Sequence, residues 1–281
     1  MKVRILSATV GILLLAGVVV LSMYYPFAWN IAIAILTGTA VHEAVTGTHC
    51  CRSKLIRQIS VVYGASLSLL VLLRHGSLLI IAAATMLYIM AVFVIGMKQN
   101  DNVNFKQVSS VLSLTILIAC TFLCITFVRQ FEGLKMALLM VAIAWLTDTF
   151  ALFSGMLFGK HKLSPVISPK KTVEGAVGGF IMCIALCMLG CWLYAEKVRG
   201  GEICIDLLNL GIVTAVCSVV SMIGDLSFSF VKRYYKIKDY GKIMPGHGGV
   251  LDRFDSVLFV APVFLILCQY LPFVGEVVKC N

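Results

Sequence analysis

Four aspartates, Asp148, Asp225, Asp252 and Asp255, stand in or beside strongly apolar runs in the second half of this chain. Around them gather Lys170, Lys171, Lys232, Arg233, Lys238 and Arg253, with the string "GHGG" at 246–249. Carboxylates are hard oxygen ligands. Mg²⁺ takes one or two of them while keeping waters and bridging to substrate phosphates. Lysine and arginine meet the phosphate charge itself, and glycine backbone admits a ligand without side-chain obstruction. These residue types together point to phosphoryl or nucleotidyl transfer, where catalysis is positioning and charge neutralisation.

The residues fall into three clusters. The first is "WLTDTFALFSGMLFGKHKLSPVISPKKTVEG", residues 145 to 175. At 1.5 Å per residue, Asp148 lies roughly 18 Å along a helix from its charged end at Lys160. A carboxylate there is costly unless it faces a polar cavity or partner, so function is favoured over a purely packing role. Ser168 and Pro169 then signal a helix start. That start would set Lys170, Lys171 and the Thr172 hydroxyl at a helix N-terminus. Free N–H groups and the positive dipole end make such a place a phosphate site. The lysines read equally well as two more topological charges.

The second cluster is "GDLSFSFVKRYYKIKD", Gly224 to Asp239, in which Asp225 is expected to end an apolar helix at the membrane face. The third is "GKIMPGHGGVLDRFDS", residues 241 to 256. Asp252 and Asp255 are three apart and share a face near the start of the last helix. If the last two helices are antiparallel neighbours, Asp225 and Asp252 come from one membrane face, as Mg²⁺ ligands require.

The elements that must position these residues are membrane helices. The chain has 281 residues, 60% hydrophobic and 13% charged, with mean hydropathy +0.99. A soluble domain runs nearer ~25% charged. Nine apolar segments approach the ~20 residues of a spanning helix: 5–23, 26–45, 58–73, 77–97, 107–128, 134–158, 174–195, 206–226 and 252–272. The expected fold is an all-α polytopic membrane protein. Residues 1–132 read as scaffold and 133–281 as the part carrying the site. The first run follows Lys2 and Arg4 like a signal peptide, but it is long and lacks a small-x-small cleavage site, so it reads as a retained helix.

Basic residues orient the bundle. With the N-terminus cytoplasmic, 17 of the 23 lysines and arginines fall on the cytoplasmic side. Only Arg74, Arg129, Lys135, Lys197, Arg199 and Lys279 oppose them. The positive-inside rule then places the N-terminus inside and, after nine crossings, the C-terminus outside. A net charge of +10 confined to short loops is topological and lipid-facing rather than a nucleic-acid surface. The 11 cysteines lie mostly in apolar segments and read as packing. Cys50-Cys51, beside Arg52 at the expected cytoplasmic surface, is a weak palmitoylation cue. No internal repeat or low-complexity stretch is visible.

"SFVKRYYKIKDYGKIMPGHGGVLDRFDS", Ser229 to Ser256, resembles the signature of the CTP:phosphatidate cytidylyltransferase, or CDP-diacylglycerol synthase, family. That signature runs S-x-x-K-R, four residues, K-D, then H-G-G-x-x-D-R-x-D. Ser229, Lys232, Arg233, Lys238, Asp239, His247, Gly248, Gly249, Asp252, Arg253 and Asp255 fit it in order. "SPKKTVEG" and the Asp148 helix resemble two further family stretches, and the detailed likeness covers about 145–265.

The resemblance implies an integral membrane enzyme making CDP-diacylglycerol and pyrophosphate from CTP and phosphatidate. It would lie in the bacterial inner membrane with its site facing the cytoplasm. A Mg²⁺ centre with Asp225 and Asp252 as ligands is implied, with a second cation and self-association left open. Asp225, Asp252, Asp255, Lys232, Arg233 and His247 take the catalytic roles. Ser168, Lys170, Lys171, Thr172, Lys238, Gly248, Gly249, Arg253 and Asp148 take substrate binding. The family often has Glu-Ser where this chain has Phe228-Ser229. Two rivals remain: a CTP-dependent polyprenol- or dolichol-type lipid kinase, and an ion-coupled transporter with Asp148 as its ion site. The missing repeat and the one-sided charge weigh against transport.

Overall fold

The computed structural model describes residues 2–73, 77–99, 103–198, 203–244 and 248–276. Among them, nine α-helices form where the apolar runs lie: α1 (Lys2–Tyr24), α2 (Phe27–Gly47), α3 (Lys54–Leu70), α4 (Ser77–Lys98), α5 (Phe105–Phe131), α6 (Leu134–Phe158), α7 (Val173–Leu193), α8 (Leu207–Tyr234) and α9 (Leu251–Tyr270). Lipid offers backbone groups no hydrogen-bond partner, so a spanning segment satisfies them within a helix. Six helices, α2 and α4 to α8, are long and apolar enough to cross a membrane. The protein is an all-α polytopic membrane protein.

Two short antiparallel strand pairs and a π-helical turn at Tyr194–Val198 complete the described elements. β1 (Lys162–Ser164) pairs with β2 (Ser168–Thr172) between α6 and α7. β3 (Ile203–Ile205) pairs with β4 (Val274–Glu276). Helix ends follow local chemistry: the Ser53 hydroxyl caps α3 by accepting the Ile56 N–H at 3.3 Å, as N-cap serines do. Gly133, at φ 92°, makes the turn from α5 into α6, a conformation that glycine adopts without penalty.

The chain divides into two compact units. One comprises Met1–Thr126 with Val231–Phe254, and the other Phe127–Phe230 with Asp255–Asn281. In the first, α2 and α3 pack closely, with the Asn30 side-chain amide donating to the Ser68 carbonyl at 3.1 Å. Tyr63 of α3 stacks on Tyr88 of α4 at 4.2 Å between ring centroids, and the Tyr88 hydroxyl bonds Ser60 at 2.9 Å. In the second, α6 and α7 meet along small residues. A Cβ at Gly175 would lie 2.6 Å from the Ala151 carbonyl oxygen, and one at Gly179 would lie 2.7 Å from that of Thr147. Small residues four apart are how membrane helices let their backbones touch. Across α6 and α8, Thr147 donates to the Ser218 hydroxyl at 3.0 Å.

Cys50 and Cys51 are buried, 6% and 3% exposed, in keeping with packing rather than with the weak palmitoylation cue. Burial pushes both thiols up from the usual cysteine range. The ten described cysteines are all free.

Candidate active site

Asp225 does not end its helix. Apolarity stops near residue 226, but α8 continues to Tyr234, so the carboxylate projects from inside a continuous helix. The extra turns form because Val231–Tyr234 remains compatible with a helix after it ceases to be greasy. Ser229, one turn on, donates its hydroxyl to Asp225 Oδ1 at 3.3 Å. Oδ2 is ion-paired with Lys171. Both side chains of this pair keep about a quarter of their surface in solvent, 25% for Lys171 and 23% for Asp225. The pair can therefore open toward an incoming anion.

Lys171 reaches Asp225 from a strand, and this corrects the helix start expected at Ser168-Pro169. Ser168 pairs with Ser164, and Thr172 with Lys162. Proline has no N–H to give a ladder but is tolerated at an edge, and it pushes the preceding residue to extended backbone. The cap of α7 is Thr172, whose hydroxyl accepts the Gly175 N–H at 3.1 Å. Strand alternation then separates the two lysines: Lys170 is exposed and Lys171 turns to Asp225. Glu174 closes the hairpin base by accepting the N–H groups of Lys160 and His161 and meeting His161 Nδ1 at 2.5 Å.

Two further carboxylates of this unit, Asp148 and Asp255, are less exposed. Asp148 is half-buried on α6. Asp255 is 7% exposed, and its Oδ1 accepts the Ser256 N–H at 2.9 Å. A Cβ at Gly224 would lie 3.0 Å from the Asp255 carbonyl oxygen, so α8 and α9 approach closely beside Asp225. Phe228 is 1% exposed and meets Phe259 edge-on at 6.0 Å. The position where the family often carries Glu is thus filled by core packing. Ser227 bonds back to the Ile223 carbonyl at 2.8 Å.

In the other unit, Asp252 gathers three donors. Lys232 Nζ reaches Oδ1 at 2.9 Å, while the Tyr240 and Gly249 N–H groups reach Oδ2 at 2.9 and 3.0 Å. The ion pair is enclosed, with side chains 12% and 4% exposed. The Lys232 ammonium also lies 5.5 Å from the Tyr240 ring centroid. Gly248 sits at φ 88°, and a Cβ there would approach Asp252 Oδ2 at 3.0 Å. Arg233, Lys238 and Arg253 are exposed. His247 lies outside the described residues.

Sequence reasoning missed Glu43. It is a buried carboxylate of α2 whose Oε2 accepts the Leu251 N–H at 3.0 Å. The signal was available, because Glu43 is the one acidic residue among the first hundred. A lone carboxylate within an apolar helix is a functional candidate by default.

The donor sets bear on Mg²⁺. Among the described residues, no three His, Cys, Asp or Glu side chains cluster as a closed metal cage. Mg²⁺ does not require one. A carboxylate offers about four lone-pair sites. Among the described residues, two are used at Asp225, and at Asp252 Oδ1 carries the Lys232 bond alone. Each aspartate thus keeps oxygen capacity suited to a hard cation.

Comparison with known proteins bears on the same residues. The family model described as "Cytidylyltransferase family" matches residues 2–271. A protein of Staphylococcus epidermidis named phosphatidate cytidylyltransferase is 47% identical over 136 residues, 48% of this chain and 50% of that protein. Proteins of the same name from Staphylococcus saprophyticus subsp. saprophyticus and Staphylococcus aureus are 48% and 44% identical over the same length and shares. The chain spans about half the length of the curated relatives it matches.

Proposed function

The chain belongs to the cytidylyltransferase family, and from that premise we propose that it transfers the cytidylyl group of CTP to phosphatidate. The products are CDP-diacylglycerol and pyrophosphate. The observation that carries the reading is the pair of lysine–aspartate contacts, Lys171 with Asp225 and Lys232 with Asp252. All four residues were expected in the site from the sequence: Asp225 and Asp252 as metal ligands, Lys232 as catalytic and Lys171 as substrate-binding. The names of the staphylococcal relatives support the same substrates.

A phosphate monoester loses its second proton near pH ~6, so phosphatidate arrives ionised. One of its oxygens attacks the α-phosphorus of CTP, and the bond to the β-phosphate oxygen breaks. No proton has to be removed, so no general base is needed. When bound, Mg²⁺ neutralises triphosphate charge and stabilises the departing pyrophosphate. Asp225 and Asp252 are the carboxylates proposed to serve a metal ion, each argued within its own cluster. Lys171 leaves Asp225 for a substrate phosphate, which it meets as a point charge. Lys232 holds Asp252 in place, and the exposed Arg233, Lys238 and Arg253 supply further positive charge.

The proposed setting is a bacterial cytoplasmic membrane crossed nine times, with the N-terminus inside, the C-terminus outside and the site on the cytoplasmic face. The 17-to-6 division of lysine and arginine supports that orientation. The enzymatic test is direct. The purified chain, given labelled CTP, phosphatidate and Mg²⁺, should produce a CMP-bearing lipid and pyrophosphate. Appearance of CDP and a newly phosphorylated lipid would establish the kinase instead. Solute flux in sealed liposomes without nucleotide consumption would establish a transporter.

A further inference from the structure

Glu43 is 4% exposed, near the end of α2. Its Oε2 accepts the Leu251 N–H at 3.0 Å, and its Oε1 is buried with no hydrogen-bond partner among the described residues. Leu251 is the first residue of α9 and is fully buried. Its N–H is one of the orphan donors of a helix start and has no access to water. A carboxylate there also meets the positive end of the helix dipole. Glu43 therefore caps α9 from a helix 208 residues earlier.

The segment leading into α9 is shaped to this carboxylate. A Cβ at Gly241 would lie 2.2 Å from Glu43 Oε1, and one at Gly249 would lie 2.4 Å from Oε2. One turn further along α2 the fit reverses, because a Cβ at Gly47 would meet the Tyr240 carbonyl oxygen at 2.2 Å. Residues 43 and 47 share a helix face. That face seats the segment at Tyr240-Gly241 and again at Gly249 to Leu251. The same segment supplies the Tyr240 and Gly249 N–H groups that hold Asp252 Oδ2.

We propose that Glu43 is a positioning residue: it fixes the glycine segment, and through it the two backbone donors that orient Asp252, without touching substrate. The unpaired Oε1 favours this over a role in stability alone, because a buried ionic group with unsatisfied capacity is a poor stabiliser. The inference rests on the reading of Asp252 as a carboxylate serving Mg²⁺–CTP.

Two measurements on the full chain in lipid nanodiscs test it. Amide hydrogen exchange, run without substrate, should show residues 248–253 exchanging at least fivefold faster in Glu43→Ala. Under turnover, the Mg²⁺ concentration for half-maximal activity should rise at least threefold. A merely structural loss would lower the amount of active protein and leave that concentration where it was. Glu43→Gln, which keeps an acceptor for the Leu251 N–H, should stay within threefold of wild type in both. If Glu43→Ala does not fold, Glu43→Asp should show the same two shifts, since its carboxylate is drawn back by a methylene. Unchanged exchange, unchanged Mg²⁺ dependence, or a Gln variant as damaged as Ala would overturn the proposal. If the wild type consumes no CTP, the cytidylyltransferase reading falls, and hydrogen exchange alone decides whether Glu43 anchors the segment.

Discussion

Asp225 and Asp252 carry the same charge in very different company, and their variants should fail for different reasons. Asp225 is partly solvated and held by Lys171 and Ser229. Asp225→Asn should fold normally and lose about a hundredfold in turnover, which corresponds to about 2.7 kcal/mol. Asp252 closes an enclosed ion pair and also accepts the Tyr240 and Gly249 N–H groups, so Asp252→Ala removes all three bonds from an enclosed site at a cost of about 3–5 kcal/mol. Thermal unfolding in detergent should register that loss before any assay does. The lysines divide likewise. Lys171→Met should raise the KM for CTP or phosphatidate and leave the half-saturating Mg²⁺ concentration unchanged. Lys170→Met, on the exposed side of the strand, should behave like wild type. Wild-type kinetics from Lys171→Met would remove the hairpin from the site. Motif spacing exposed Lys232 and Asp252 because their partners lie within twenty residues. Glu43 escaped because its partner lies far along the chain and no local pattern marks it.

At the scale of elements, hydropathy finds helices and then stops too early or starts in the wrong place. The apolar signal of α8 ends near Asp225, while the hydrogen-bond ladder runs on to Tyr234. The β1–β2 hairpin was invisible because strands of 3 and 5 residues carry no period, and Ser-Pro imitates a helix start. What sets the hairpin, and with it Lys171, is the close seam of α6 on α7. Gly179→Leu would drive a side chain into backbone that a Cβ alone would meet at 2.7 Å. Overpacking of this kind costs typically about 1–3 kcal/mol. The variant should show a lower melting temperature and reduced turnover together. Gly190→Ala is the control, since nothing lies within 4 Å of a Cβ there. If Gly179→Leu melts like Gly190→Ala, the seam does not position the hairpin.

For the molecule as a whole, composition was enough to place the chain in a membrane, but the number of crossings is a finer matter. Six helices pass on length and apolarity, leaving α1, α3 and α9 to make up nine. The critical one is α3. Its 17 residues extend about 26 Å, short of the ~30 Å hydrocarbon core. Parity turns that shortfall into an experiment. If α3 crosses, nine spans put the two ends of the chain on opposite sides. If it enters and returns, the elements after it change sides, and the ends share one face. The β1–β2 loop reports on the same question from within, because Val166 is 86% exposed at its tip. In sealed vesicles, Val166→Cys should react with a membrane-impermeant maleimide from the cytoplasmic side alone. A reporter active only outside the cytoplasm, fused after Asn281, should be active. Labelling of residue 166 from outside, with a silent C-terminal reporter, would mean that α3 does not cross. The lysines at 160, 162, 170 and 171 would then face the exterior, against the charge rule that orients the rest, and a site built on them could not draw CTP from the cytoplasm.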